Sequence, residues 1–259
     1  MNDNIKISII QSDLVWENRD ENLRNFSNKI NQIEEQVDLI VLPEMFTTGF
    51  SMQSNKFAEP MNGVSVNWMQ EKAKEKQCNI VGSLIIVENE KYYNRLIWMK
   101  ANGKFQYYDK RHLFRMSGEH EHFTSGNERL IVEFKGWKFL LITCYDLRFP
   151  VWCRNAKDYD TMICVANWPE VRKMAWTTLL QARAIENQTY TIGVNRIGKD
   201  NRNTKFSGNS AVFDPKGIVM TKSIENKEFV ETLELSLSNL KDFRRSFPTD
   251  LDADNFKII

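Results

Sequence analysis

Three side chains that could take part in a reaction each follow directly after an apolar run of the sequence. Glu44 follows "DLIVLP", Lys110 follows "KFQYYD" and Cys144 follows "KFLLIT". In open α/β sheets, ligand-binding and catalytic groups gather outside the carboxyl ends of strands. The shared position therefore favours one site that contains a carboxylate, an ammonium and a thiol.

A thiol, a cation and a carboxylate can together break an acyl bond. The thiol reacts as the thiolate, and with an ordinary pKa of about 8.5 it is mostly protonated near neutrality. We expect Lys110 and the first backbone N–H groups of a helix after Cys144 to lower the pKa of this thiol. Glu44 would take the thiol proton, give it to a departing amine and later activate water. Lys110 and the N–H of Tyr145 would face the oxygen of the tetrahedral intermediate, where one donor is typically worth about 3 kcal/mol.

Each of the three residues on its own also fits a structural role. Most buried cysteines behave as small hydrophobic residues. A glutamate after Leu-Pro commonly begins a helix, and a lysine in "DKR" commonly lies in a solvated loop. A non-catalytic interaction protein therefore stays an alternative, and the coincidence of three reactive groups after three strands is the argument against it.

The three histidines, His112, His120 and His122, fall within one loop that also contains Glu119 and Glu121. A metal-dependent hydrolase built on this loop is the alternative from a different class. The H-x-H element lacks the helical H-x-x-x-H spacing of many zinc enzymes. A polar surface loop explains these residues more simply, so we predict no metal site.

The pattern of apolar residues predicts one α/β domain over residues 1–259, with mixed β-sheets and helices outside them. A helix is indicated where Leu23, Phe26, Ile30, Ile33 and Val37 recur at steps of three and four residues. Further helices are predicted at about 64–77, after Pro150 and at about 172–188. Strands are predicted at about residues 5–11, 38–43, 79–89, 92–100, 104–109, 129–134, 138–143, 161–167, 190–195, 210–214, 218–221 and 228–235. An irregular tail follows from about residue 247.

Composition narrows the classes of partner. The chain has 35 Lys and Arg against 34 Asp and Glu, which gives a formal net charge of +1. Because the basic residues are spread along the chain, nucleic acid and anionic membranes are poorly supported. The four cysteines have no C-x-x-C spacing, the polar start differs from a signal peptide, and no apolar stretch approaches the roughly 20 residues needed to cross a bilayer. We therefore expect a soluble protein of the reducing cytoplasm.

Several segments resemble the nitrilase superfamily of carbon-nitrogen hydrolases. They are "LPEMFTTGF" around Glu44, "YDKRHLF" around Lys110 and "LITCYDLRFP" around Cys144, followed in the family's order by "ANWPEVR", "LLQARAIENQTY" and "GNSAVFDPKG". The resemblance implies an α-β-β-α sandwich, a triad of these three residues, a thioester intermediate and no cofactor. It implies a homodimer or larger homo-oligomer, with the tail from about residue 247 in subunit contacts. It also implies that Glu119, in "MSGEHEHF", is a second glutamate that orients the lysine and the substrate.

Within that superfamily, the sequence resembles one branch in particular. Val151 stands after "LRFP", where many relatives have a glutamate, and this form together with "KRHLFRMSGEH" and "VANWPEVR" is similar to the ω-amidases. These act on 2-oxo acid monoamides such as 2-oxoglutaramate, and another amidase of the superfamily, acting on N-carbamoyl compounds or aliphatic amides, is the alternative. A short acid amide needs a cation for its carboxylate, and Arg115 and Arg172 have the planar fork suited to one. The predicted pocket walls are Phe46, Phe50 and Trp168.

Overall fold

The computed structural model describes residues 3–222 and 224–254. The first half of the chain contains β1 (Asn4–Gln11), α1 (Arg19–Asn31), β2 (Leu39–Val41), α2 (Ser54–Phe57), α3 (Val64–Lys76), β3 (Asn79–Glu88), β4 (Lys91–Met99), β5 (Phe105–Asp109) and α4 (Glu119–His122). The second half contains β6 (Leu130–Phe134), β7 (Trp137–Thr143), α5 (Pro150–Cys153), β8 (Thr161–Ala166), α6 (Lys173–Asn187), β9 (Tyr190–Asn195), β10 (Ile197–Lys199), β11 (Lys205–Ser207), β12 (Ala211–Phe213), β13 (Phe229–Ser236) and α7 (Leu237–Ser246). Short 3₁₀ helices lie at Arg115–Ser117, Cys144–Arg148, Glu170–Arg172 and Thr249–Leu251.

The strands form two larger mixed sheets and one small one. The first sheet has the order β13-β1-β2-β3-β4-β5, the second has the order β12-β9-β8-β7-β6, and β10 pairs with β11. In the first sheet β1, β2 and β3 are parallel, and in the second β7, β8 and β9 are parallel. Their other neighbours pair antiparallel. The prediction of mixed sheets is confirmed.

The two sheets pack face to face, and helices cover their outer sides. Trp98 of β4 and Phe139 of β7 meet across the interface, with ring centroids 5.0 Å apart. On the outside of the first sheet, α1 and α3 contribute Phe26 and Met69 to a separate buried cluster. On the second sheet, α6 lies so close to β9 that a Cβ added at Gly193 would stand 2.3 Å from a methyl group of Leu180. The result is the expected α-β-β-α sandwich.

The structure adds α2, α4, β10 and β11, which the sequence pattern did not indicate, and it changes two of the predicted elements markedly. Helix α1 ends at Asn31, so Ile33 and Val37 join the core from the following loop. The predicted strand at residues 218–221 is a single bridge between Phe213 and Val219. There the Asp214 side chain accepts hydrogen bonds from the backbone N–H groups of residues 216 and 218, which shapes a turn in place of a ladder.

The chain's organisation as one domain over residues 1–259 stays a prediction. The tail from residue 247 includes the 3₁₀ helix Thr249–Leu251, and residues 255–259 lie outside the described part. The tail is held to the body where Gln188 Nε2 donates to the carbonyl oxygen of Phe247 at 2.8 Å and Lys157 pairs with Asp250 at 3.0 Å.

Replacing Leu141 with alanine tests the packing of the second sheet. Leu141 is fully buried in β7, so Leu141→Ala should lower the free energy of unfolding by about 2–5 kcal/mol because it leaves a cavity. Urea denaturation followed by circular dichroism measures this change. The control is Val64→Ala at the half-exposed start of α3, which should change stability by less than about 0.5 kcal/mol. Equal losses in both variants would contradict the assigned packing.

Candidate active site

A buried lysine lies between two buried carboxylates. Lys110 follows β5 directly, Glu44 lies shortly after β2, and Glu119 begins α4. Lys110 Nζ donates to Glu44 Oε1 at 2.9 Å and to both carboxylate oxygens of Glu119 at 3.0 Å. All three side chains are fully excluded from solvent. The ammonium therefore links the chain segments that contain Glu44 and Glu119.

The charges in this cluster shift one another's protonation. Burial acts to lower the pKa of Lys110, but the Glu119 and Glu44 carboxylates outweigh it and hold that pKa above its ordinary value. Burial raises the pKa of Glu119 even though Lys110 opposes the shift. Lys110 is therefore a permanent cation in the physiological range.

The backbone turns sharply at Cys144 to present the sulfur. Cys144 follows β7 and begins the 3₁₀ helix Cys144–Arg148, with a left-handed φ of 47° that is strained for a non-glycine residue. Asp146 stabilises the turn, because its Oδ2 accepts from the N–H of Thr143 at 2.9 Å and from the hydroxyl of Tyr108 at 2.7 Å. Its Oδ1 accepts from the N–H of His112 at 2.9 Å. Asp146 thus connects the cysteine turn to the segment that follows Lys110.

The thiol of Cys144 has a raised pKa, and the expectation of a lowered one is wrong. Burial is the largest cause, the Glu44 carboxylate is the next, and Lys110 opposes them. The Glu119 carboxylate raises the pKa further. The sulfur is therefore a thiol at rest, and its proton lies next to a carboxylate that can accept it.

Three polar residues that sequence reasoning missed hold Glu44 in place. Asn94 Nδ2 donates to Glu44 Oε1 at 2.8 Å and to Glu119 Oε1 at 3.2 Å, and Ser83 donates to Asn94 Oδ1 at 2.9 Å. From the other sheet, Asn167 donates its backbone N–H to Glu44 Oε2 at 2.7 Å and its Nδ2 to the Glu44 carbonyl oxygen at 2.5 Å. The available signal was the small polar residue Ser83 or Asn94 in the interior of the apolar runs "NIVGSLIIVE" and "YYNRLIWM".

A cavity of about 310 Å³ opens beside the sulfur. Its wall includes Trp16, Phe50, Phe114, Cys144, Tyr145, Arg148, Asn167, Trp168 and Arg172. The Phe50 ring centroid is 5.0 Å from Lys110 Nζ, so this ring joins the buried cluster to the cavity. A larger hollow of about 550 Å³ lies beside the C-terminal tail and contains none of the candidate catalytic residues.

The structure brings together most of the predicted site residues and separates two. Phe50, Trp168 and Arg172 line the cavity as predicted. Phe46 does not, because it is fully buried under the outer helices, where its ring meets Phe26 with centroids 5.5 Å apart. Arg115 is exposed on a short 3₁₀ helix and lies outside the cavity wall. Phe46 is therefore a core residue and Arg115 is a surface residue, and the prediction that they line the pocket is wrong.

The three histidines do not converge on a common point. His112 Nδ1 lies 2.8 Å from Asp146 Oδ1, and its ring stacks on Phe149 at 3.7 Å. His120 is half-buried and His122 is exposed. Within residues 3–222 and 224–254, no group of three or more His, Cys, Asp or Glu side chains is arranged to hold a metal ion. His112 belongs to the packing of the cysteine turn.

The sequence pattern of the carbon-nitrogen hydrolases matches residues 6–245. The chain belongs to this family. It is 44% identical over 256 residues to omega-amidase YafV of Escherichia coli K12, covering 98% of both chains. It is 32% identical to 2-oxoglutaramate amidase of Bacillus subtilis, covering 93% of this chain and 95% of the relative. Among solved structures, XC1258 from Xanthomonas campestris, a superfamily protein with an arsenic adduct in its active site, is 40% identical with a TM-score of 0.96 over 99% of both chains.

None of the helices in the described residues has the length and apolar character required to cross a bilayer.

The electrostatic origin of the raised thiol pKa can be tested at Glu119. The Glu119 charge disfavours the thiolate, so Glu119→Gln should lower the pKa of Cys144. The pH dependence of iodoacetamide alkylation at Cys144, followed by peptide mass spectrometry, reports that pKa. Glu121→Gln, at an exposed neighbour, is the matched control and should leave the profile unchanged. A profile that stays the same or moves to higher pH in Glu119→Gln would contradict the assigned interaction.

Proposed function

We propose that this chain is a cysteine-dependent ω-amidase that hydrolyses the terminal carboxamide of a 2-oxo acid monoamide such as 2-oxoglutaramate. The names of the E. coli and B. subtilis relatives support the substrate class. The observation that carries the chemistry is the sulfur of Cys144 in a cavity wall, within the electrostatic reach of a carboxylate that also binds a buried ammonium. This combination supplies a nucleophile, a base and a fixed positive charge at one point.

In the first half of the reaction, Cys144 Sγ attacks the carboxamide carbon while Glu44 takes the thiol proton. Transfer during the attack is required because the thiol is protonated at rest. The charge of Lys110 and the N–H of Tyr145 stabilise the oxygen of the tetrahedral intermediate. The Tyr145 N–H lies in the first turn of the 3₁₀ helix Cys144–Arg148, where backbone N–H groups have no partner within the helix.

In the second half, Glu44 returns the proton to the nitrogen, the C–N bond breaks and ammonia leaves. The acyl group stays on Cys144 as a thioester. Glu44 then removes a proton from water and the hydroxide attacks the thioester carbon. The C–S bond breaks, the acid leaves, and Glu44 returns its proton to the sulfur. Glu119 acts throughout as the second carboxylate that fixes Lys110.

The far carboxylate of the substrate is assigned to Arg172. This side chain is half-buried in the cavity wall, and it makes no ion pair with any carboxylate of the described residues. Its guanidinium carbon lies 5.3 Å from the Phe114 ring centroid, a contact that restricts the fork. Phe50 and Trp168 would enclose the short carbon chain between the two ends.

The proposal extends to assembly and location. A homodimer or larger homo-oligomer would use the tail from residue 247, where Phe247 is 60% exposed and Leu251 is 72% exposed. Burying such apolar side chains against a second subunit would remove them from water. The balanced charge and the unpaired cysteines suit the cytoplasm.

The role of Cys144 is tested by ammonia release. The native protein should release ammonia from 2-oxoglutaramate faster than from glutamine, simple aliphatic amides or N-carbamoyl amino acids, and Cys144→Ala should abolish this activity because no thioester can form. Cys153→Ala, at a fully buried cysteine that does not line the cavity, is the control and should retain turnover. Preference for an aliphatic amide or an N-carbamoyl compound would overturn the substrate. Full activity of Cys144→Ala would overturn the mechanism.

The role of Arg172 is tested by comparing a charged amide with a neutral one. Arg172→Leu should raise KM for 2-oxoglutaramate about tenfold or more, because it removes a charge-assisted hydrogen bond. KM for butyramide, which has no carboxylate, should stay nearly constant. Arg115→Leu is the matched control at the surface and should change neither. A similar effect of Arg172→Leu on both amides would exclude the assigned role.

A further inference from the structure

Asn167, a residue of the cavity wall, has a buried acceptor without a partner. Only 4% of the residue is exposed, and its Oδ1 accepts no hydrogen bond from any group in residues 3–222 and 224–254. In the same cluster, the side-chain polar atoms of Glu44, Asn94 and Glu119 all make hydrogen bonds. A buried carbonyl oxygen that is left unpaired is unfavourable and marks a place where a donor belongs.

The orientation of this amide is fixed by the chain. Asn167 Nδ2 lies 2.5 Å from the carbonyl oxygen of Glu44. Because a carbonyl oxygen can only accept, the nitrogen must face Glu44 and the Oδ1 atom must face elsewhere. The backbone N–H of the same residue binds Glu44 Oε2 at 2.7 Å. Asn167 therefore has a fixed position relative to the proposed proton carrier.

The strand register places Asn167 beside the nucleophile. Strands β7 and β8 are parallel, and Thr143 pairs with Val165. Cys144 and Asn167 then follow the ends of neighbouring strands, and both line the cavity. A donor on a substrate that reaches the sulfur and Glu44 is thus within the same small region as Oδ1.

We propose that Asn167 Oδ1 accepts an N–H hydrogen bond from the scissile –NH₂ group and thereby selects amides over esters. The inference rests on the proposed amidase function and adds a specificity-determining residue to it. A primary amide has two N–H groups, and the tetrahedral intermediate keeps both while its nitrogen lone pair faces the protonated Glu44. One N–H can bind Oδ1 while the lone pair receives the proton.

Asn167 is chemically unchanged when the C–N bond breaks. Glu44 gives its proton to the nitrogen, the C–N bond breaks with its electron pair on nitrogen, and ammonia leaves a thioester behind. An ester has an oxygen without hydrogen at the same place, so its lone pairs meet those of Oδ1. Sites built to bind an N–H or O–H group reject analogues that lack it.

Two substitutions of similar size distinguish the proposed bond to the substrate from the hydrogen bond that Asn167 Nδ2 donates to Glu44. Asn167→Asp and Asn167→Leu both lose the Nδ2 donor to Glu44, but only the aspartate keeps an acceptor at the Oδ1 position. The measurement is kcat/KM for 2-oxoglutaramate and for the methyl ester at the same carboxyl group. The ratio of amide to ester should fall about tenfold or more in Asn167→Leu and stay near the native ratio in Asn167→Asp.

The matched control removes a different hydrogen bond to Glu44. Asn94→Ala removes the hydrogen bond to Glu44 Oε1, so it should slow amide and ester by similar factors, since both reactions need Glu44 to accept the thiol proton. An unchanged ratio in Asn167→Leu, in a native enzyme that releases ammonia, would overturn the role of Asn167 alone. A native protein that hydrolyses the ester and no amide would overturn the proposed function as well.

Discussion

The contact on which this site depends is that of one ammonium with two carboxylates, all shielded from water. Burying three charged groups is unfavourable unless each is paired and hydrogen-bonded. With Lys110, Glu44 and Glu119 the formal sum is one negative charge in excess, so neutral donors must complete the arrangement. The amide of Asn94 and the backbone N–H groups of Phe114 and Asn167 supply them. The polar groups around the cluster are there because each buried carboxylate oxygen needs a hydrogen-bond donor.

The face-to-face packing of the sheets is what assembles this arrangement. Glu44 and Lys110 come from segments next to strands of the first sheet, whereas Cys144 and Asn167 follow strands of the second. The bond from Asn167 to Glu44 therefore crosses from one sheet to the other, as does the bond from Tyr108 to Asp146. A small shift between the sheets would separate the proposed nucleophile from its base, so the apolar interface also sets the geometry of the site.

The sequence predicted the sheets and the residues that follow strand ends, but not the residues inside strands that contact them. Glu44, Lys110 and Cys144 could be found because each is a polar residue directly after an apolar run. Asn94 lies inside such a run, and a polar residue there fits an edge, a bulge or a functional contact equally well. Phe46 and Phe50 are both aromatic and four residues apart, and only the path of the chain after Glu44 shows which one reaches the cavity. The direction of the thiol pKa was wrong because burial and the second carboxylate depend on distances that no spacing provides.

The protonated resting state of Cys144 also bears on how the protein withstands oxidants. Oxidation of cysteine to the sulfenic acid and beyond begins from the thiolate. A sulfur that keeps its proton until an acyl group is in place offers little thiolate to peroxide between turnovers. The surroundings that hold the proton on Cys144 therefore disfavour its oxidation as well as its premature attack.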